Sequence, residues 1–247
     1  MKHIGILAHS AEGAALSFLA ACHQGEEFLG EHNHPEITLS IIPMAAAMPH
    51  WEKNEYFAVR RILAETVARL AAAGADFFVC PDNTAHLALE SDGPDLALPG
   101  LHIAEIVSET AKRRGYLRVG LLGTKWTMEG AVYVNAFARA GLDFRIPPLA
   151  ARETLNRIIF EELVRGRFAD ISRQRVVAMI EALKREHCDC VALSCTEIPL
   201  LITEAVSPLP TLDSTRLLAK AAVSVALGRR EFPTWRGGAM MSMDASS

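Results

Sequence analysis

Two short polar clusters hold the side chains best suited to moving a proton. One is Asp82-Asn83-Thr84-Ala85-His86, just past the apolar run DFFVC; the other is Ser194-Cys195-Thr196-Glu197, just past CVALS. Aligning Asp76 with Asp189 sets Asp82 on Cys195. A thiol, with a reference pKa of about 8.5, titrates near neutrality and responds to nearby N–H groups and helix N-termini. A carboxyl with a pKa of about 4 is a weak base toward an unactivated α-carbon unless burial raises it. Two such groups on opposite sides of one carbon can take a proton from one face and return one to the other. Asp82 has a second reading as a cap for the helix that follows. Cys195 leaves its strand for a polar cluster, unlike Cys80, which sits inside DFFVC and reads as packing.

Around these two residues lie groups that could hold a small acid. Ser10 and Thr124 follow the first strand of each half-chain and offer hydroxyls to a carboxylate. Asn83, Thr84 and Thr196 adjoin the two proton-transfer candidates, and Pro199 suits an early helical turn whose N–H groups would favour an anion. Thr127 is a further hydroxyl, or only the N-cap of its helix. His86, one turn beyond Asp82, could tune it or be a buried histidine without chemistry. Glu197 could tune Cys195. The segment 48–57, MPHWEKNEYF, is a polar-aromatic loop that could recognise a side chain, act as a lid, or simply anchor itself by Trp51. GILAHSAEG does not fit the dinucleotide fingerprint and no G-K-[ST] follows, so a nucleotide is poorly supported.

The elements that must position these residues alternate. HIGILA, EITLSIIP and DFFVC read as strands, with a helix after each. The helix over 53–74 has apolar residues at helical spacing and Gly74 as its C-cap. The pattern then restarts with LRVGLLG, DFRIPP, CVALS and the short LPTLD, again with helices between. HIGILA (3–8) matches RVGLLG (118–123), each with glycine third, and each is followed by Glu-Gly-Ala: Glu12-Gly13-Ala14 and Glu129-Gly130-Ala131. The expectation is an α/β chain of two similar parallel-sheet domains. The first spans 1–98 plus the closing helix 214–229, the second 99–213, and 230–247 is a loose tail. Sites in such sheets form outside the carboxyl ends of strands. Two halves facing each other about a pseudo-twofold axis would bring Asp82 and Cys195 to one cleft from opposite sides.

The 247 residues, half of them hydrophobic, suffice for that core, and a net charge of −4 without a basic stripe argues against nucleic acid. No apolar run reaches membrane-spanning length and the start lacks a leader pattern, so a soluble protein is expected. Five cysteines, an odd number, point to a reducing, cytoplasmic setting. Cys188 and Cys190 could share a strand face, but no further ligand completes a metal site, so none is expected.

DNTAH (82–86) and SCTEIPLLI (194–202) resemble the paired signatures of the aspartate/glutamate racemase family. GLLGTKWTMEGAVY (120–133), NRIIFEELVRG (156–166) and PLPTLDST (208–215) are similar to it as well, so nearly the whole chain before the tail is covered. The resemblance implies two flavodoxin-like domains with the active site in the cleft between them, assembled as a homodimer. It implies racemisation of acidic amino acids without a cofactor, with Cys195 and Asp82 catalytic and a small dicarboxylate or amino acid as substrate. The family pattern has Cys-Asn-Thr in the first half; here Asp82 stands where that cysteine is usual. Relatives with one thiol include decarboxylases of substituted malonates and isomerases of maleate. A binding protein for small carboxylates, without turnover, is a third reading.

Overall fold

The structure is a computed structural model that describes residues 1–240. The first half runs β1 (Ile4–Ala8), α1 (Ala11–Leu29), β2 (Ile37–Ile41), α2 (Met48–Glu52), α3 (Tyr56–Ala72), β3 (Phe77–Val79), α4 (Ala85–Leu89), β4 (Gly100–Leu101) and α5 (Ile103–Arg113). The second runs β5 (Arg118–Gly123), α6 (Lys125–Glu129), α7 (Ala131–Ala140), β6 (Asp143–Arg145), α8 (Leu149–Arg157), α9 (Asp170–Arg185), β7 (Cys190–Ser194), α10 (Ile198–Leu201) and β8 (Thr211–Asp213). A closing helix, α11 (Ser214–Ala226), follows.

The strands form two separate four-stranded sheets, ordered β2-β1-β3-β4 and β6-β5-β7-β8, with every pairing parallel. The two sheets thus repeat one topology, as the sequence repeat predicts. The first sheet is apolar on both faces because helices cover both. Ile4, Ile6, Phe77 and Val79 pack with Leu218 and Ala222 of α11 on one side. Leu7 and Phe78 pack with Leu63 and Val67 of α3 on the other.

The aligned aspartates do the same work in both halves. The Asp76 carboxylate accepts the His3 N–H at 2.8 Å, and Asp189 accepts the Leu117 and Arg118 N–H groups at 2.7 and 2.8 Å. Each thereby ties the start of its half's first strand to the strand beside it. Gly5 and Gly120 also correspond. A Cβ at Gly5 would come within 3.1 Å of Ala75 and Leu70, and one at Gly120 within 2.9 Å of Leu183, so each glycine lets a helix lie close on its strand.

Three expectations shift. The domain boundary drawn at 98/99 falls inside the first half, because β4 pairs with β3 through Phe78–Gly100 and Val79–Leu101. The first half therefore continues through α5, and α11 crosses back to pack on α1 and α5. Of the tail expected over 230–247, residues 230–240 include a segment anchored on the first half. Phe232 meets Phe77 edge-on, Trp235 lies 6.1 Å from Phe78 between ring centroids, and the Trp235 and Arg236 carbonyls accept the Gly100 and Leu96 N–H groups. The rest of that tail, 241–247, lies outside the described residues. The helix read across NRIIFEELVRG is broken: α8 gives way to a π-helical stretch at Ile158–Glu162 and a short tight turn at Leu163–Arg165. No helix among the described residues is long and apolar enough to cross a membrane.

Candidate active site

Strand ends bring the site together. His9 and Ser10 follow β1, Thr124 follows β5, Cys195 follows β7, and Asp82 lies just past β3. Parallel strands point all these ends the same way within each half. The two halves meet over a cleft of about 590 Å³, open solvent included, which is lined by Asp82 of the first half and Cys195 of the second. Gly13 permits the closure: a Cβ there would collide with Thr196 and the Ser10 hydroxyl.

Asp82 is held as a carboxylate. Its Oδ2 lies 2.9 Å from His9 Nδ1, and its Oδ1 accepts the Ala85 N–H at 3.3 Å. Burial pushes its pKa up, but the His9 bond and charge and the Ala85 bond outweigh this and hold it below the usual carboxylate range. Hydrogen bonds to charged groups contribute about 1.5–3 kcal/mol, so two of them suffice. The Ala85 N–H bond to Oδ1 fits the capping reading of Asp82, and Oδ2 is engaged by His9. The side chain remains 28% exposed, open to the cleft.

Cys195 is the opposite case. It is buried, and its thiol donates to Glu197 Oε2 at 3.1 Å. Burial first, then the Glu197 charge, push the thiol well above its ordinary pKa, and Asp82 adds to the rise. Cys195 therefore rests as a protonated thiol. Glu197 is also bonded by the Ser10 hydroxyl from the other half.

The hydroxyls divide into two groups. Ser10 and Thr196 face each other at 3.4 Å beside the thiol. Thr84 bonds Thr124 at 2.8 Å and Thr127 at 3.1 Å, across the junction of the halves. Thr124, not Thr127, is the N-cap of α6, accepting the Thr127 N–H at 3.2 Å. Thr127 stands behind Thr84 and Thr124 and does not line the cleft. Asn83 lines it, but its side chain is engaged: Nδ2 donates to Ser214 at 3.1 Å and Oδ1 accepts from Tyr133 at 2.6 Å.

His86 does not reach the Asp82 carboxylate. Its Nδ1 donates to the Asp82 carbonyl at 3.0 Å and its Nε2 accepts the Ile103 N–H at 3.3 Å. Burial and the neighbouring His102 push its pKa down to about 3, so it is neutral, stacked flat on Trp235. It supports the backbone under Asp82 rather than exchanging protons with substrate.

His9 was invisible as a site residue from spacing around Asp82. The repeat held the signal: counting the same distance from Gly5 as Thr124 lies from Gly120 lands on His9. The apolar wall is the other omission. Met44, Met48 and Trp51 line the cleft from the first half, and Trp126, Ile159 and Phe160 from the second. Trp51, read as the anchor of the segment 48–57, is buried and lies 6.3 Å from Trp126 between ring centroids. Among the described residues no group of three or more His, Cys, Asp or Glu side chains could hold a metal ion; Cys188 and Cys190 are buried in the second core.

The sequence pattern of Asp/Glu/Hydantoin racemase matches residues 8–222, which takes in every cleft residue named above. The chain belongs to that family. The broad specificity amino-acid racemase RacX of Bacillus subtilis is 27% identical over 68% of this chain and 73% of its own length. Glutamate racemase of Serratia proteamaculans is 27% identical over 74% of this chain, but the match spans only 62% of that protein. The crystal structure of an aspartate racemase homologue from Pyrococcus horikoshii has a TM-score of 0.78 at 28% identity, covering 92% of this chain and all of that one. The chain is thus an isomerase of the Asp/Glu/Hydantoin racemase family, and its general substrates are small carboxylic or amino acids. Within the cleft of this racemase-family member, Asp82 is held as an anion by His9, and Cys195 is held as a neutral thiol beside the second carboxylate, Glu197.

Proposed function

We propose that the chain inverts the configuration of an amino acid at its α-carbon by proton transfer between Asp82 and Cys195. The observation that supports this is that Asp82 of the first half and Cys195 of the second, one ionised and one protonated, follow corresponding strands and line the same cleft. With the α-carbon between them, Asp82 takes the proton from one face. The electron pair left on carbon delocalises into the substrate carboxylate, which Ser10, Thr84, Thr124 and Thr196 can meet with hydroxyls. The Cys195 thiol then gives its proton to the other face and becomes a thiolate. The enzyme now carries the proton on Asp82 and the charge on sulfur, the state that accepts the opposite enantiomer. Glu197 can exchange a proton with the sulfur, and solvent resets the pair. Only protons move, so the step needs no cofactor.

A net-lowered Asp82 is a poor base, so removal through that face is the harder half-reaction. A substrate carboxylate in the cleft would raise it and ease the step. Aspartate and glutamate are the substrates the resemblance implies. Incubating each enantiomer of both, and of a wider amino-acid panel, in deuterated water tests the assignment. Neither α-deuterium uptake nor optical change with any of them would sink it.

A second reading has a specific observation behind it. A decarboxylase creates its carbanion by losing CO₂ and needs only an acid, which a protonated Cys195 already is. Asp82→Asn separates the two: racemisation requires the carboxylate, whereas decarboxylation of a substituted malonate would survive the change. A homodimer in the cytoplasm belongs to the same proposal: the family resemblance implies the dimer, and the five free cysteines fit a reducing compartment; light scattering of the purified chain checks the dimer.

A further inference from the structure

The walls of the cleft bear on which amino acid it takes. Recognition of aspartate or glutamate requires a place for a second carboxylate, and burying an unpaired charge is strongly unfavourable. Among the described residues no lysine or arginine lines the cleft, and its one basic side chain, His9, is engaged with Asp82. Two carboxylates, Asp82 and Glu197, already line it. The hydroxyls on either side of the proton-transfer pair are enough for the α-carboxylate, which every amino acid has.

Away from that pair the cleft is apolar. Met48 and Trp51 come from α2, Trp126 from α6, and Ile159 and Phe160 from the π-helical stretch, with Val164 just beyond it. The aromatic rings touch in series: Trp51 lies 6.3 Å from Trp126, and Phe160 stands edge-on to Trp126 at 5.9 Å. The π-helical stretch matters here. An added residue in a helical turn rotates the following side chains, and such turns recur at functional sites. Lys125, the neighbour of Trp126 in sequence, is exposed, with its Nζ 4.4 Å from the Trp126 ring centroid, and does not line the cleft.

We propose that the cleft selects an amino acid with a large uncharged side chain, aliphatic or aromatic, over aspartate and glutamate. Trp51, Trp126 and Phe160 are the specificity-determining residues, gripping that side chain while Asp82 and Cys195 flank the α-carbon. This rests on the racemase assignment but makes a separate demand on the walls.

The test is α-proton exchange in deuterated water, started from each enantiomer of phenylalanine, leucine, methionine, aspartate and glutamate. The expected kcat/KM is about 100-fold higher for the best apolar substrate than for either acid, in line with what a mismatched pocket costs. Phe160→Arg should narrow or reverse that preference by supplying the missing cation, and Lys125→Ala should leave it unchanged. Comparable or better exchange with aspartate or glutamate would overturn the inference while leaving the racemase assignment standing, as would loss of the acidic activity in Lys125→Ala. Should no amino acid exchange, the racemase assignment fails, and the wall is then read by binding. Quenching of tryptophan fluorescence by 3-phenylpropionate at least about tenfold tighter than by succinate sustains the selection, and tighter succinate binding ends it.

Discussion

The two halves of this chain are built alike and equipped differently. Asp76 and Asp189 tie down equivalent strands, Gly5 and Gly120 admit equivalent helices, and both sheets run in the same order. At the equivalent strand ends, one half presents a carboxylate bonded to an imidazole and the other a thiol bonded to a carboxylate. The partners invert the resting states. His9 keeps Asp82 ionised although burial opposes it, whereas Glu197 adds to burial and keeps Cys195 protonated. A repeated scaffold thus fixes where Asp82 and Cys195 stand, while the residues beside them decide which is charged.

The largest effects should come from the carriers themselves. Cys195→Ala should lower racemisation from both enantiomers by about 10²–10⁴-fold, the usual worth of a positioned acid or base. Chiral chromatography of timed samples reads this directly. Exchange without inversion should persist only for the enantiomer that offers its proton to Asp82. A variant that still racemises at near wild-type rate would remove the thiol from the reaction.

A smaller effect should separate the partners. Asp82 must be a carboxylate to act as a base, so its low pKa extends activity toward acid. His9→Leu deletes the bond that holds the value down, leaving burial to raise it. The acid limb of the kcat/KM profile for the enantiomer using Asp82 should then move to higher pH. Glu197→Gln acts on the other carrier: removing the charge that raises Cys195 should bring the thiol's titration down and move the limb of the other enantiomer to lower pH. Limbs that stay in place in both variants would break the contrast drawn between the halves.

The smallest effects concern the shared scaffold. Asp76→Ala and Asp189→Ala should each cost about 1–3 kcal/mol of stability, the penalty for orphaned backbone donors. Urea unfolding measures both. Asp76 has its pKa lowered by the His3 N–H and by Lys2, against a small opposing effect of burial. Its contribution is therefore present above its unfolded pKa and is lost as pH falls through the depressed folded value. A difference of several kcal/mol between the two variants would mean the halves are not held alike.

Much of this was legible in the sequence because it depends on short-range pattern. Apolar runs gave the strands, and the recurring glycine and aspartate gave the repeat that sets Asp82 opposite Cys195. What escaped depends on contacts between distant segments. β4 is two residues long, too short for any periodicity to register. The segment after α11 is aperiodic and is anchored by single aromatic residues, Phe232 and Trp235, whose partners lie far back in the chain. His9 looks like an ordinary residue after a strand until the repeat offset is applied to it. The polarity of the proton-transfer pair was beyond pattern altogether, since it follows from which atom each partner touches.

The central claim is that the two faces of the α-carbon are served by different chemistry. It is tested most directly by α-deuterium uptake, started separately from each enantiomer of one substrate across pH, in wild type and in Asp82→Asn. Two distinct pH profiles are expected in the wild type. In Asp82→Asn, racemisation should be lost in both directions while exchange without inversion survives from one enantiomer alone, through Cys195. Superimposable profiles, together with an Asp82→Asn enzyme that racemises normally, would contradict the account and leave Asp82 as a structural residue.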